Sequence, residues 1–394
     1  MLSGYPPQAW EWSVVLRRVL FPLLALPFMR ILGFLTGGFV TSVLINVGAL
    51  LGFSYFVKRR FGTRAGIATA WLVATYPGIT YWAGLPYSYT MIVPCSLVAG
   101  ILLTRLNEAQ DLVGVVSASL LLGLMFCGYD LLPFFLPPAL IILAWRRRLA
   151  WMAIAGVAAV APPMAVNSWL ERMGVPAVNS NTSTYGAIIS SYLHPAASGK
   201  WLGYLSALPS LSVTTFLFSN LVFVPLLFLA LTVWSLPRRR PVITVVEGSV
   251  LVTTLLIFLF NNAAPPYYGW QMRGDWVARL YQPVVVAYLL CIARAIEQAS
   301  DVGTHTRVLT WTIVLVCVAG TAVILSPMIG SRFGAYVYHR FYAHSSPEWM
   351  LVNRERYGAR PLGVCRETHE FDGMRDPMTP LTRPSFMYRY PGRD

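Results

Sequence analysis

Up to about residue 328 the chain alternates between apolar stretches close to 20 residues long and short clusters rich in Arg. A run of about 20 apolar residues is what a helix needs to cross the roughly 30 Å hydrocarbon core of a bilayer. The pattern predicts ten crossing helices, at about 36–57, 65–84, 88–104, 112–128, 131–145, 149–169, 212–235, 242–261, 276–295 and 308–328. The fold class expected is all-α, a polytopic transmembrane bundle. Segment 14–34 is also apolar, but Arg17, Arg18, Arg30, Pro22 and Pro27 interrupt it. Such a segment suits an amphipathic helix lying in the membrane interface better than a simple crossing. The division expected is an N-terminal segment at 1–35, a bundle at 36–328 and a polar tail at 329–394. The tail is too polar to cross, with ten Arg and seven acidic residues over 331–394.

Charge gives this bundle an orientation. Only 12% of the 394 residues are charged and 56% are hydrophobic, whereas soluble domains carry roughly 25% charged residues. The net charge of +14 would suit nucleic acid, but the Arg residues stand at the ends of apolar segments and not along one soluble face. Nucleic-acid binding is therefore excluded in favour of the positive-inside pattern. If 58–64 is cytoplasmic, alternation places 105–111, 146–148, 237–241 and 294–307 inside as well, and these loops hold 13 Lys or Arg. The opposite loops hold Arg172, Lys200 and Arg273. Loops 170–211 and 262–275 and the tail then face outward.

Candidate chemistry is sparse. Five Cys and five His show no metal-ligand or disulfide spacing. Pro137-Pro138 and Pro162-Pro163 fall inside predicted helices, where they bend the helix or open a cavity for a long lipid. Ionisable residues near membrane depth are costly and tend to mark sites. Asp130, in the hairpin Gly128-Tyr129-Asp130, is the catalytic candidate: it can act as general base, bind a divalent metal, or cap the next helix. Glu247 reads as a helix-end pairing residue. The densest cluster runs from Tyr267-Tyr268-Gly269-Trp270 through Arg273 and Asp275 to Arg279-Leu280-Tyr281-Gln282-Pro283. Arg279 falls about one turn into the membrane and needs an anionic partner, either Asp275 or a lipid phosphate whose oxygens match the guanidinium fork. Tyr267, Tyr268 and Tyr281 are counted with Arg273, Asp275 and Arg279 as the substrate-binding candidates. In the outer loop, Asn179, Asn181, Tyr185, Trp201 and Tyr204 suit sugar recognition.

Two stretches carry a resemblance. The run Phe56-Val57-Lys58-Arg59-Arg60-Phe61-Gly62-Thr63-Arg64-Ala65-Gly66, leading to Ala74-Thr75-Tyr76-Pro77-Gly78, resembles the basic turn between two spans of GT-C-type polytopic glycosyltransferases, the protein-mannosyltransferase and aminoarabinose-transferase group. Arg18-Val19-Leu20-Phe21-Pro22-Leu23-Leu24-Ala25 is similar to the segment following that group's first outer loop, and Gly128-Tyr129-Asp130 and Arg279 to Pro283 fall at comparable places. The resemblance extends over about residues 5–295. It implies a transferase in the bacterial cytoplasmic (inner) membrane that takes sugar from a polyprenyl-phosphate donor on the outer face. A carboxylate there activates the acceptor or holds a divalent metal. The group carries a first span and an acidic catalytic loop ahead of the matched region. Here Met1 stands only ten residues before Glu11, so that part is expected to be truncated from the sequence or lost. Its loss would make the chain a catalytically silent GT-C-like subunit, a scaffold among partner membrane subunits. A transporter is the weaker reading, because no internal repeat is visible.

Overall fold

A computed structural model describes residues 18–76, 88–129, 131–173, 243–263, 283–299 and 303–329. Among these residues the secondary structure is helical and no strand occurs. The helices are α1 Leu20–Leu32, α2 Phe34–Phe61, α3 Thr63–Ala74, α4 Ile92–Glu108, α5 Leu112–Phe126, α6 Leu132–Trp145, α7 Leu149–Arg172, α8 Val245–Ala263, α9 Val284–Ala299 and α10 Gly303–Ile329, with a 3-10 turn at Ser88–Met91. Each overlaps an expected apolar segment; the segment at 212–235 lies outside the described residues.

Among the described residues two helices, Thr36–Phe61 and Leu149–Arg172, are long and apolar enough to cross a membrane. The 15 residues of α5 and 14 of α6 reach only about 22 Å at 1.5 Å per residue, short of a full hydrocarbon core. Helix α1, with 13 residues, is shorter still. It buries Phe21 and Ala25 against the rest while Leu23, Leu24, Leu26 and Ile31 stay exposed.

The core lies around α4 and α9, most of whose residues are buried. Small residues let them approach: a Cβ on Gly100 would collide with Val286 of α9. Ser96 and Thr104 direct their hydroxyls back to the carbonyls of Ile92 and Gly100 at 2.6 and 2.9 Å, so neither demands a partner from a neighbouring helix. Around this centre, α2, α5, α7, α8 and α10 turn apolar residues outward. Leu51, Leu121, Val157, Leu256 and Trp311 are exposed, where a helix on a soluble surface would present polar ones.

Proline and glycine set the packing of α5 on α7. Pro163 cannot donate to the carbonyl of Ala159, four residues earlier. That carbonyl lies against Gly123 of α5, at a spot where a Cβ would overlap it and meet the Pro162 ring at 2.8 Å. The proline pair continues inside a single helix, and the oxygen it releases is covered by the neighbouring glycine backbone.

Candidate functional site

The described contacts gather polar groups at two opposite ends. The first end holds the start of α1, the end of α5 and the start of α6. Helix α5 finishes in a turn in which the Cys127, Gly128 and Tyr129 amides bond back to carbonyls of residues 123–125, and Leu131 N–H reaches the Tyr129 carbonyl at 2.7 Å. The N-terminal segment is tied to this turn by Leu20 N–H donating to the Cys127 carbonyl at 3.3 Å. Gly128 is required by crowding: a Cβ there would stand 2.6 Å from Cys95 Sγ and 3.2 Å from Leu20 Cδ2. The Arg18 guanidinium carbon lies 4.2 Å from the centroid of the Tyr129 ring, and Arg18 is buried at 6% exposure. A desolvated guanidinium on an aromatic face is worth about 2 kcal/mol. Arg18 and the Gly128-Tyr129 turn, some 110 residues apart in sequence, thus share one site.

A short polar seam follows between α2 and the 3-10 turn. Thr90 Oγ1 accepts from Ser42 Oγ at 2.6 Å and from Asn46 Nδ2 at 2.7 Å, and Asn46 also donates to the Ser42 carbonyl at 2.9 Å. These bonds satisfy groups that burial would otherwise penalise.

At the opposite end, the C-termini of α2, α4, α6 and α9 meet the N-termini of α3, α5, α7, α8 and α10. Glu247, 1% exposed, is held by Arg294 of α9 at 2.9 Å and by Thr244 N–H at 2.7 Å; the Thr244 hydroxyl bonds the same carboxylate. Thr244-Val245-Val246-Glu247 is thus half of a capping box, the glutamate returning to the amide three residues back. Arg60 of α2 pairs with Glu108 of α4. Further charges act on Arg60: Arg294 and Arg105 repel it, and Glu247 and Glu297 attract it. Arg60 and Arg294 both lie over the Phe61 ring, at 5.6 and 5.4 Å.

The Arg146-Arg147-Arg148 turn serves the same end. Arg146 donates to the carbonyls of Asn107 and Ala109. Arg148 donates to the Ala109 carbonyl at 2.6 Å and covers the Trp151 ring at 4.1 Å. These carbonyls belong to the end of α4, where helical acceptors run out of donors, so two of the three arginines finish a neighbouring helix. Arg147 between them adopts φ 56°. Asp111 then caps α5, its carboxylate accepting from Gly114 N–H at 2.7 Å.

The sequence-predicted site residues Asp130, Tyr267, Tyr268, Arg273, Asp275, Arg279 and Tyr281 lie outside the described residues, as do residues 174–211 of the expected outer loop, whose first residues belong to the end of α7, and the Arg238 to Arg240 cluster. Asp130 directly follows Tyr129 in the chain, and helix α6 behind it has Leu131 as its N-cap residue, without a side-chain cap. Glu247 is a helix-end pairing residue, with Arg294 as its partner. Sequence reasoning passed over the Thr244–Glu247 capping box and the role of Arg18 over Tyr129. The first had a readable Thr-x-x-Glu signal; the second had none, because only folding brings those segments together. Among the described residues no three His, Cys, Asp or Glu side chains gather as metal ligands. No family model, curated protein or solved structure matches the chain.

Proposed function

We propose that this chain is a multi-pass membrane protein of the GT-C type that transfers a sugar from a polyprenyl-phosphate donor on the outer face of the bilayer. The observation that carries the reading is the placement of Arg18 over Tyr129. It joins the Arg18–Ala25 stretch to the Gly128-Tyr129 turn, both of which fall in the region that resembles that group, and it sets a guanidinium beside the residue that precedes Asp130. A guanidinium at one end of a helical bundle suits a lipid phosphate, and Asp130, next in the chain after Tyr129, would deprotonate the acceptor. The two long apolar helices, the outward-facing apolar side chains and the Arg-rich opposite end support the membrane setting, with the Arg-rich end cytoplasmic. Arg279 would supply a second guanidinium to the donor phosphate.

A scaffold role is the second reading, favoured by the burial of Arg18, which suits a pin between α1 and the α5–α6 turn. One experiment separates the two. Asp130→Asn and Arg279→Ala are assayed in the purified protein for binding of a polyprenyl-phosphate analogue and for transfer from a polyprenyl-phosphate sugar. Transfer is expected to fall by about 10²–10⁴-fold in Asp130→Asn with binding retained, and binding is expected to vanish in Arg279→Ala. No transfer by the unmodified chain, together with unchanged binding in Arg279→Ala, assigns the scaffold role.

A further inference from the structure

Among the described residues, the two basic turns at 58–64 and 146–148 are built differently. In the α6–α7 turn, Arg146 and Arg148 are used on carbonyls of residues 107–109. In the α2–α3 turn, Arg60 turns inward to Glu108, but Lys58, Arg59 and Arg64 are exposed. None of these three makes an ion pair among the described residues. The turn holds them close together: Gly62 at φ +91° reverses the chain, and Gly66 packs so tightly that a Cβ would stand 2.6 Å from that of Lys58. Arg64 occupies the first turn of α3, which contains no acidic residue, and a cation is disfavoured at that positive end of the helix dipole. An anion bound at the turn would relieve both the mutual repulsion and the dipole mismatch.

The face of α2 leading to this turn identifies the anion's source. Val47, Leu51, Tyr55 and Arg59 follow at four-residue intervals along neighbouring positions of the helix surface, and all four are exposed. Arg59 Nε donates to Tyr55 Oη at 2.8 Å, and its guanidinium lies 5.4 Å from the Tyr55 ring centroid. This fixes the fork while leaving its terminal nitrogens for another acceptor. An aliphatic stretch, then an aromatic with a polar tip, then a guanidinium is the order of surfaces met from acyl chain to headgroup. A free phosphate would make no use of Val47 or Leu51.

We propose that the α2–α3 turn is a docking site for an anionic phospholipid, its phosphate held by Arg59 with Lys58 and Arg64 and its acyl chain lying along Leu51 and Val47. The proposal rests on the membrane reading but not on any transferase activity. The full-length protein is reconstituted into nanodiscs of phosphatidylcholine with graded phosphatidylglycerol, and the enrichment of retained phosphatidylglycerol is measured by native mass spectrometry. The unmodified chain and Arg172→Gln, altered on a different turn, are expected to enrich the anionic lipid equally. Arg59→Gln should reduce enrichment about fivefold, corresponding to about 1 kcal/mol per basic residue near an anionic surface, and Lys58→Gln/Arg59→Gln/Arg64→Gln should abolish it. Enrichment unchanged in both variants overturns the site, as does its displacement by millimolar inorganic phosphate, which would mark a free-anion site. A chain that enters nanodiscs of neither composition overturns the membrane reading itself.

Discussion

Glu247 and Arg294 show how one ion pair can be committed from both sides. The carboxylate is almost fully buried, yet it closes a capping box with Thr244 and accepts from a guanidinium on another helix. Removing one partner from a buried pair leaves a charge with no compensation and costs about 3–5 kcal/mol, whereas replacing both by apolar groups can be nearly neutral. In detergent-solubilised protein, Glu247→Ala and Arg294→Met should each lower stability by about that amount. The double variant should lose much less than the sum of the two. Additive losses in thermal unfolding would show that the two side chains act independently. The same accounting separates the arginines of residues 146–148. Arg146 and Arg148 satisfy carbonyls that would otherwise be left at a helix end, while Arg147 carries the left-handed backbone that the turn demands.

At the scale of elements, the contact between α5 and α7 depends on a missing side chain. Gly123 accommodates the Ala159 carbonyl that Pro163 leaves without a helical donor, and small residues are what allow helices in lipid to approach so closely. Gly123→Ala should force the helices apart at a cost of about 1–3 kcal/mol, the range for overpacking a filled interface, and Gly123→Val should cost more. Unfolding midpoints within error of the unmodified protein would mean that the backbone yields freely there. The length of the apolar runs made the helices themselves legible, since α2, α5, α6 and α7 each begin within two residues of the expected position. Their lengths were less legible. Composition marks which residues avoid water, but the polar Gly128-Tyr129 turn and the capping groups at Asp111 and Thr244 decide where the helical hydrogen bonding stops. The pairing of Gly123 with Ala159 was invisible in sequence, because a proline's unused acceptor does not name the helix that covers it.

For the whole molecule, the decisive feature is that its two ends are chemically unlike. Contacts place Lys58, Arg59, Arg64, Arg105, Arg146 to Arg148, Arg294 and Arg307 on elements that converge at one end, whereas Arg172 closes α7 away from it. The sequence contained this asymmetry as a count of loop charges; the fold adds that several of those charges bind acidic partners and the helix ends, so the residues that would set the proposed orientation also hold the helices together. The substrate-binding candidates were legible only as a cluster of residue types between Tyr267 and Tyr281, and Asp130 only as an acidic residue in a hairpin; all of them lie outside the described residues. The proposed multi-pass arrangement has a direct consequence for access. In a Cys365→Ser background, Arg59→Cys and Arg172→Cys should react with a membrane-impermeant maleimide from opposite sides. Arg172→Cys should label in intact cells, and Arg59→Cys only after the membrane is opened. Helix α7 is one of the two long enough to span, and α2, the other, ends beside Arg59, so labelling of both from the same side would remove the alternation on which the orientation depends. Labelling from opposite sides would fix the Arg18–Tyr129 end on the outer face, as the proposed transfer requires.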